Sequence, residues 1–253
     1  MPELTAYVPG TPCWVDVSSD DVEAAAGFYG SLFGWDTMVM PDGGGYTMFL
    51  QDGKAVAAAG VNQSGGPASW STYIATADAD RTAAMITAAG GSLMLEPFDV
   101  LDAGRMAFAT DPQGTVFGIW QGTGHVGAQL VNEPVAYCWA ELRTTDILAS
   151  QTFYTMVFGW IPQAVGDDPG FVYRMQQNDG RVVAGIFETD AMQPGWSVYF
   201  AVEDTDATVA KAAELEARTV RPAEDTPYGR TATLADPAGA TFAVIRLAPE
   251  TTG

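Results

Sequence analysis

The 253-residue chain is short of several things, and each shortage removes a class of function. It has one histidine, His125, and two cysteines, Cys13 and Cys138. Two cysteines make no disulfide framework. Each precedes a tryptophan in an apolar segment, where a buried free thiol is the expected state. Positive charge is scarce. Eleven Lys and Arg, only two of them lysines (Lys54 and Lys211), face thirty-one Asp and Glu, for a formal charge of −20. No basic patch can be drawn, so neither a nucleic-acid backbone nor an anionic membrane surface is an expected partner. No apolar run approaches the roughly 20 residues of a spanning helix. Residues 1–10 have neither the basic head nor the apolar stretch of a secretory signal. The expected class is a soluble, acidic, cytoplasmic globular protein.

What the chain does have is a copy of itself. Cys13-Trp14 returns as Cys138-Trp139, Phe28-Tyr29 as Phe153-Tyr154, and Phe33-Gly34-Trp35 as Phe158-Gly159-Trp160. Gly60 returns as Gly185 and Gly104-Arg105 as Gly229-Arg230. Asp111-Pro112-Gln113-Gly114 returns as Asp236-Pro237-Ala238-Gly239, all at a spacing of 125 residues. Trp70-Ser71 and Asp78 return one residue later, at Trp196-Ser197 and Asp204. Chance does not hold one register over so many aromatic and glycine positions. The chain reads as a tandem duplication: a first domain over 1–121, a linker over 122–134 that contains His125, and a second domain over 135–253.

Within each copy the elements can be placed. Pro12 to Val17 alternates like a strand. Ser19 or Asp20 is positioned to cap a helix whose apolar face is Ala24, Phe28 and Phe33, ending at Gly34. Tyr46 to Gln51 and Ala55 to Val61 read as a hairpin turning at Asp52-Gly53. Trp70 to Thr76 is a strand, Asp78 to Ala89 a helix, and 105–110 with 115–120 a hairpin around Asp-Pro-Gln-Gly. The second copy repeats the order: strand 136–142, helix 146–158, strands 171–176, 181–187 and 196–202, helix 204–217, and strands 230–235 and 240–246.

Two segments carry a resemblance. Trp14-Val-Asp-Val-Ser-Ser-Asp-Asp-Val-Glu-Ala-Ala-Ala-Gly-Phe-Tyr29 and Asp111-Pro-Gln-Gly-Thr-Val-Phe-Gly-Ile-Trp120, each with its copy, resemble the vicinal oxygen chelate superfamily. That group includes glyoxalase I, bleomycin- and fosfomycin-resistance proteins and extradiol dioxygenases. The nearest likeness is to its two-domain actinobacterial members. The resemblance implies an α+β fold: tandem domains, each of two βαβββ units with curved mixed sheets around a cleft. The metal ligands it implies fall on Trp14, Ser71 and Gly118, and on Trp139, Ser197 and Ala243. None is a usual ligand, and one histidine cannot supply a two-His, one-carboxylate site. Metal-dependent glyoxalase or dioxygenase chemistry is therefore not expected, and neither a metal nor another cofactor is assigned.

Strand alternation says what lines the cleft instead. Trp14 shares its face with Asp16, Ser71 with Tyr73, and Gly118 with Trp120. Trp139 shares its face with Glu141, Ser197 with Tyr199, and Ala243 with Ile245. Cys13 and Cys138 should then face the helices. Indoles in place of metal ligands make a stacking site, and a flat, partly apolar molecule is the expected guest. The expected catalytic groups are Asp16, Glu141, Tyr73 and Tyr199. Trp14, Trp139, Ser71, Ser197, Trp120, Arg105 and Arg230 are the expected substrate-binding residues. The tryptophans could equally be core filler. The two carboxylates could pair with Arg105, Arg143 or Arg230, or stay desolvated with raised pKa values suited to acid–base work. The copies differ at Asp167-Asp168-Pro169, where the first copy has a single acid before Tyr46, Asp42. Met38, Met40, Met48, Met94 and Met106 gather in the first copy, where a bulky guest or ordinary core would use them.

Three functions follow from this reading. The first is a metal-independent isomerase, cyclase or lyase acting on a small aromatic or polyketide-like metabolite. The second is a sequestering drug- or metabolite-resistance protein. The third is an interaction protein with a vestigial cleft. The expected assembly is a monomer, already an internal pseudo-dimer, or a homodimer.

Overall fold

The computed structural model describes residues 3–63, 65–165, 173–190 and 193–249. Asp167-Asp168-Pro169 and the first residues of the strand expected from 171 lie outside them. The first repeat runs β1 (Pro12–Ser19), α1 (Val22–Phe33), β2 (Asp36–Val39), β3 (Thr47–Gln51) and β4 (Lys54–Val61), then β5 (Ser69–Ala75), α2 (Ala79–Ala88), β6 (Ser92–Val100), β7 (Gly104–Thr110) and β8 (Val116–Gly122). The second runs β9 (Tyr137–Thr144), α3 (Ile147–Phe158), β10 (Ile161–Val165), β11 (Tyr173–Asn178) and β12 (Arg181–Glu188), then β13 (Gly195–Ala201), α4 (Thr205–Glu214), β14 (Arg218–Thr226), β15 (Gly229–Ala235) and β16 (Thr241–Leu247). Each repeat is thus βαβββ twice over. The exposed edge strands β2, β6, β10 and β14 lack the alternation that located the others.

Each repeat forms one eight-stranded mixed sheet. The orders are β2-β3-β4-β1-β5-β8-β7-β6 and β10-β11-β12-β9-β13-β16-β15-β14. The first strand of each repeat is the hinge of its sheet. β1 pairs parallel with β4 inside its own unit and antiparallel with β5 of the next. Register also corrects one element of the repeat. Asp16 faces Ala58 while Glu141 faces Gly185, so Gly185 stands where Ala58 does and is not the counterpart of Gly60.

All four helices start on an aspartate. Asp21, Asp78, Asp146 and Asp204 each accept a main-chain N–H three residues on, at 2.9–3.0 Å. The cap of α1 is therefore Asp21 rather than Ser19 or Asp20, and Ser19 Oγ instead bonds the main chain of Asp21. α1 ends at Gly34, which adopts the left-handed conformation (φ 78°) that a side chain would disfavour.

The helices and one face of each sheet make a single core that crosses between repeats. Phe33 of α1 packs on Phe200 at 5.2 Å, and Tyr29 on Phe242 at 5.5 Å. In the copy, Phe117 of β8 packs on Tyr154 at 5.7 Å. Each buried aromatic of this kind contributes about 2–3 kcal/mol of transfer free energy, so the repeats share one core and are not beads on a string. A bulge at Cys13 in β1 breaks the alternation there. Cys13 consequently packs with Trp14, Tyr73 and Trp120 and does not face the helices. Cys138 sits at the equivalent bulge, half-buried, and lines a surface cavity beside Trp139.

Candidate functional site

The face of each sheet turned away from the helices carries the candidate residues. Residues opposed across neighbouring strands share a face, so register defines rows. In the first repeat one row is Trp14, Tyr73, Gly118, Phe108 and Leu95. The next is Met48, Ala58, Asp16 and Ser71. Trp120 lies one row beyond, beside Met106 and Phe98. In the second repeat the rows are Trp139, Tyr199, Ala243, Thr233 and Arg221, then Met175, Gly185, Glu141 and Ser197. Ile245 pairs with Thr231. Trp14, Asp16, Ser71, Tyr73 and Trp120 are thus together, as are Trp139, Glu141, Ser197, Tyr199 and Ile245.

The two faces have diverged. The first is filled. Cys13, Trp14, Met48, Ala58, Tyr73 and Trp120 form a second buried apolar cluster. Asp16 lies within it, 8% exposed. Its Oδ2 accepts from Tyr46 at 2.9 Å and Tyr73 at 2.8 Å, and Tyr46 in turn accepts from Trp14 Nε1 at 2.9 Å. Burial raises the Asp16 pKa to about 6, and the two tyrosine hydroxyls pull it back down. Gly118 is obligatory here, since a Cβ would sit 2.2 Å from the Tyr73 ring. The linker finishes the filling. Ala128 N bonds Cys13 O at 2.8 Å and Gln129 N bonds Ala55 O at 2.7 Å, strapping the chain along the sheet. His125 stands edge-on to Trp14 at 4.5 Å and beside Trp120 at 5.9 Å. Its Nε2 is buried without a partner, and burial lowers its pKa to about 4.

Among the described residues the second face is more exposed and more polar than the first. Trp139, Glu141, Arg143, Ser197 and Tyr199 are all half-buried. Thr233 and Arg221 stand where the first repeat has Phe108 and Leu95. Tyr199 donates to Glu141 Oε1 at 2.9 Å, and Trp139 Nε1 donates to Tyr173 at 3.3 Å. Burial raises the Glu141 pKa. Hydrogen bonding from Tyr199 and Tyr173 and the charges of Arg143 and Arg221 oppose that rise. Tyr173 crosses directly over Gly185, where a Cβ would meet its hydroxyl at 2.1 Å. Such a set can hold a flat guest against an indole, with a carboxyl group and phenol hydroxyls at its edge.

Arg105 and Arg230 do not join either face. Arg105 is held by Asp80 and Asp99, both at 2.8–2.9 Å, and Arg230 by Asp206 and Asp225. Each guanidinium ties a helix to its neighbouring hairpin, on the side of the sheet opposite the candidate face. Nor do Asp16 and Glu141 take an arginine as an ion-pair partner among the described residues. Strand alternation does not predict Tyr46 and Tyr173, because their hydroxyls reach the carboxylates from a neighbouring hairpin. The signal was the repetition of a tyrosine two residues before Met48 and Met175.

The residues present do not fit a catalytic divalent metal. Across the rows the inward groups are aromatic, aliphatic, thioether and small side chains, Thr233, Arg221 and one carboxylate per face. Among the described residues no three His, Cys, Asp or Glu side chains converge.

The comparisons with known proteins agree with the architecture. The glyoxalase/bleomycin resistance protein/dioxygenase superfamily profile matches residues 13–119 and again 136–244. CFP32 of Mycobacterium tuberculosis (strain CDC 1551 / Oshkosh), which carries a provisional glyoxylase name, is 42% identical over 99% of this chain and 100% of its own length. The anthracycline biosynthesis protein DnrV of Streptomyces peucetius is 40% identical, with 96% of each chain covered. Among solved structures, the Mn(II)-bound glyoxalase from Novosphingobium aromaticivorans matches with a TM-score of 0.65 at 17% identity, over 93% of this chain and 82% of that one. At that identity the likeness carries the fold alone. Two profile matches, one per repeat, and relatives at this identity over nearly the full length leave one conclusion: the chain belongs to the glyoxalase/bleomycin resistance protein/dioxygenase superfamily.

Proposed function

We propose that this protein is a metal-independent tailoring enzyme for a small aromatic, polyketide-like metabolite, and that its working cleft is the open face of the second repeat. One observation carries the reading. Glu141, a carboxyl group half-withdrawn from water and hydrogen-bonded by a tyrosine, stands on the open face beside Trp139. The relationship to an anthracycline biosynthesis protein supports the class of guest. Trp139 would stack on the ring system. Glu141 would take a proton from carbon next to a carbonyl. Once protonated, Glu141 holds the Tyr199 hydroxyl less tightly, which frees that donor for the developing oxyanion. On this reading the Asp16–Tyr73 pair of the first repeat is a buried polar anchor.

The test is turnover of anthracycline-type aromatic polyketides, followed by mass spectrometry. Glu141→Gln should lower kcat by about 100-fold or more with binding retained, while Asp16→Asn stays close to wild type. Full turnover by Glu141→Gln would refute the assignment.

A second reading has its own observation. A cavity of about 450 Å³ opens beside Trp139 and Cys138, walled by Leu4, Tyr7, Tyr137 and Val182. It favours sequestration of an apolar compound, in which case the bound molecule is recovered chemically unchanged.

A further inference from the structure

Arg143 is a half-buried cation on the same strand face as Glu141. Eleven basic residues share the molecule with thirty-one acidic ones, and three of the nine arginines, Arg105, Arg221 and Arg230, hold carboxylates. Arg143 does not. Its Nη1 donates to Ser197 Oγ and its Nε to the Gln193 carbonyl at 3.2 Å. Among the described residues no carboxylate lies within ion-pair reach of it. Three of its five N–H donors are therefore uncommitted. The group is half-buried, and desolvation disfavours its charge. Tyr199 and Glu141 favour the charge, and Arg221, on the same face, opposes it. The first repeat has Ser18 at this place, so the cation belongs to the open face only.

We propose that Arg143 docks a carboxylate carried by the cleft's aromatic ligand. The step rests on the reading of this face as a small-molecule cleft and adds to it the class of substrate, an aromatic acid. Ser197 and the Gln193 carbonyl fix the guanidinium plane and leave both Nη2 hydrogens and one on Nη1 for a partner. Glu141 precedes Arg143 by two residues on the same strand face, roughly 7 Å away. A carboxylate on Arg143 thus sets the adjoining ring against Trp139, with a neighbouring carbon near Glu141. The bound anion also offsets the repulsion between Arg143 and Arg221.

The experiment is calorimetric titration at low salt with two probes: a dihydroxyanthraquinone carboxylate and the same dihydroxyanthraquinone without the carboxyl group. The wild type should bind the carboxylate at least about tenfold more tightly. Arg143→Gln and Arg143→Ser should both lose that preference. Equal affinity of the wild type for the two probes would overturn the proposal while leaving the cleft in place, and needs no variant to fold. A preference that survives both Arg143 substitutions would overturn it too. Binding of neither probe would remove the cleft reading along with it.

Discussion

Tyr29 donates its hydroxyl to Asp236 Oδ2 at 2.9 Å, from the helix of one repeat to the last hairpin turn of the other. The same hydroxyl accepts from Trp70 Nε1 at 2.8 Å. The Phe-Tyr of each helix and the Asp-Pro-x-Gly of each turn thus meet across the duplication. In the copy, Tyr154 lies near Asp111, but Tyr154 Oη, Asp111 Oδ2 and Trp196 Nε1 are left without well-formed partners.

Tyr29→Phe should therefore cost about 1–3 kcal/mol, because it orphans a buried carboxylate oxygen and a buried indole N–H together. Tyr154→Phe should cost less. Urea denaturation of the two variants against wild type measures the difference.

The duplication, the helices and the central strands were legible because aromatic, glycine and aspartate positions recur in order. The edge strands were not, since exposed edges carry no burial pattern. The inward rows from Trp14 to Tyr73 and from Trp139 to Tyr199 followed from the ligand positions that the resemblance implies, extended by alternation. Alternation failed at Cys13 and Cys138, where a bulge adds one residue. Recurrence does not distinguish a guanidinium tied to a helix, as Arg105 and Arg230 are, from one on the cleft face. The filling of the first face by His125 depends on where the linker travels, which no local pattern encodes.

Asp16 gives the fold a pH signature of defined sign. Its folded pKa, about 6, lies above the ordinary aspartate value of 3.8. The folded state therefore holds the proton more tightly than the unfolded chain. Its stabilising contribution is full below about pH 3.8 and is lost as pH rises through about 6, on the order of 3 kcal/mol. Asp16→Asn should gain stability relative to wild type between pH 4 and pH 7. A constant difference across that range would contradict the buried placement of Asp16.

His125 acts in the opposite sense. Burial holds its folded pKa near 4, below the ordinary 6.5, so its contribution is present above about pH 6.5 and fades as pH falls through 4. His125→Phe keeps a ring against Trp14 and cannot charge. Thermal melts from pH 7 to pH 4 should show the variant losing less stability than wild type.

Gly118→Ala drives a methyl into the Tyr73 ring and displaces its hydroxyl from Asp16. The expected cost is about 1–3 kcal/mol. Ala243→Gly, at the matching place in the open repeat, should cost about 1 kcal/mol or less. Paired melting curves separate the closed face from the open one.

The central claim is that the second repeat holds the ligand and the first is packed shut. The most direct measurement is a titration with dihydroxyanthraquinone carboxylate followed on the indole N–H signals of the seven tryptophans, with Trp14→Phe and Trp139→Phe supplying assignments. The account predicts that the Trp139 signal shifts with saturation while Trp14 and Trp120 stay fixed. Saturable shifts at Trp14 and Trp120 with Trp139 unmoved would contradict it.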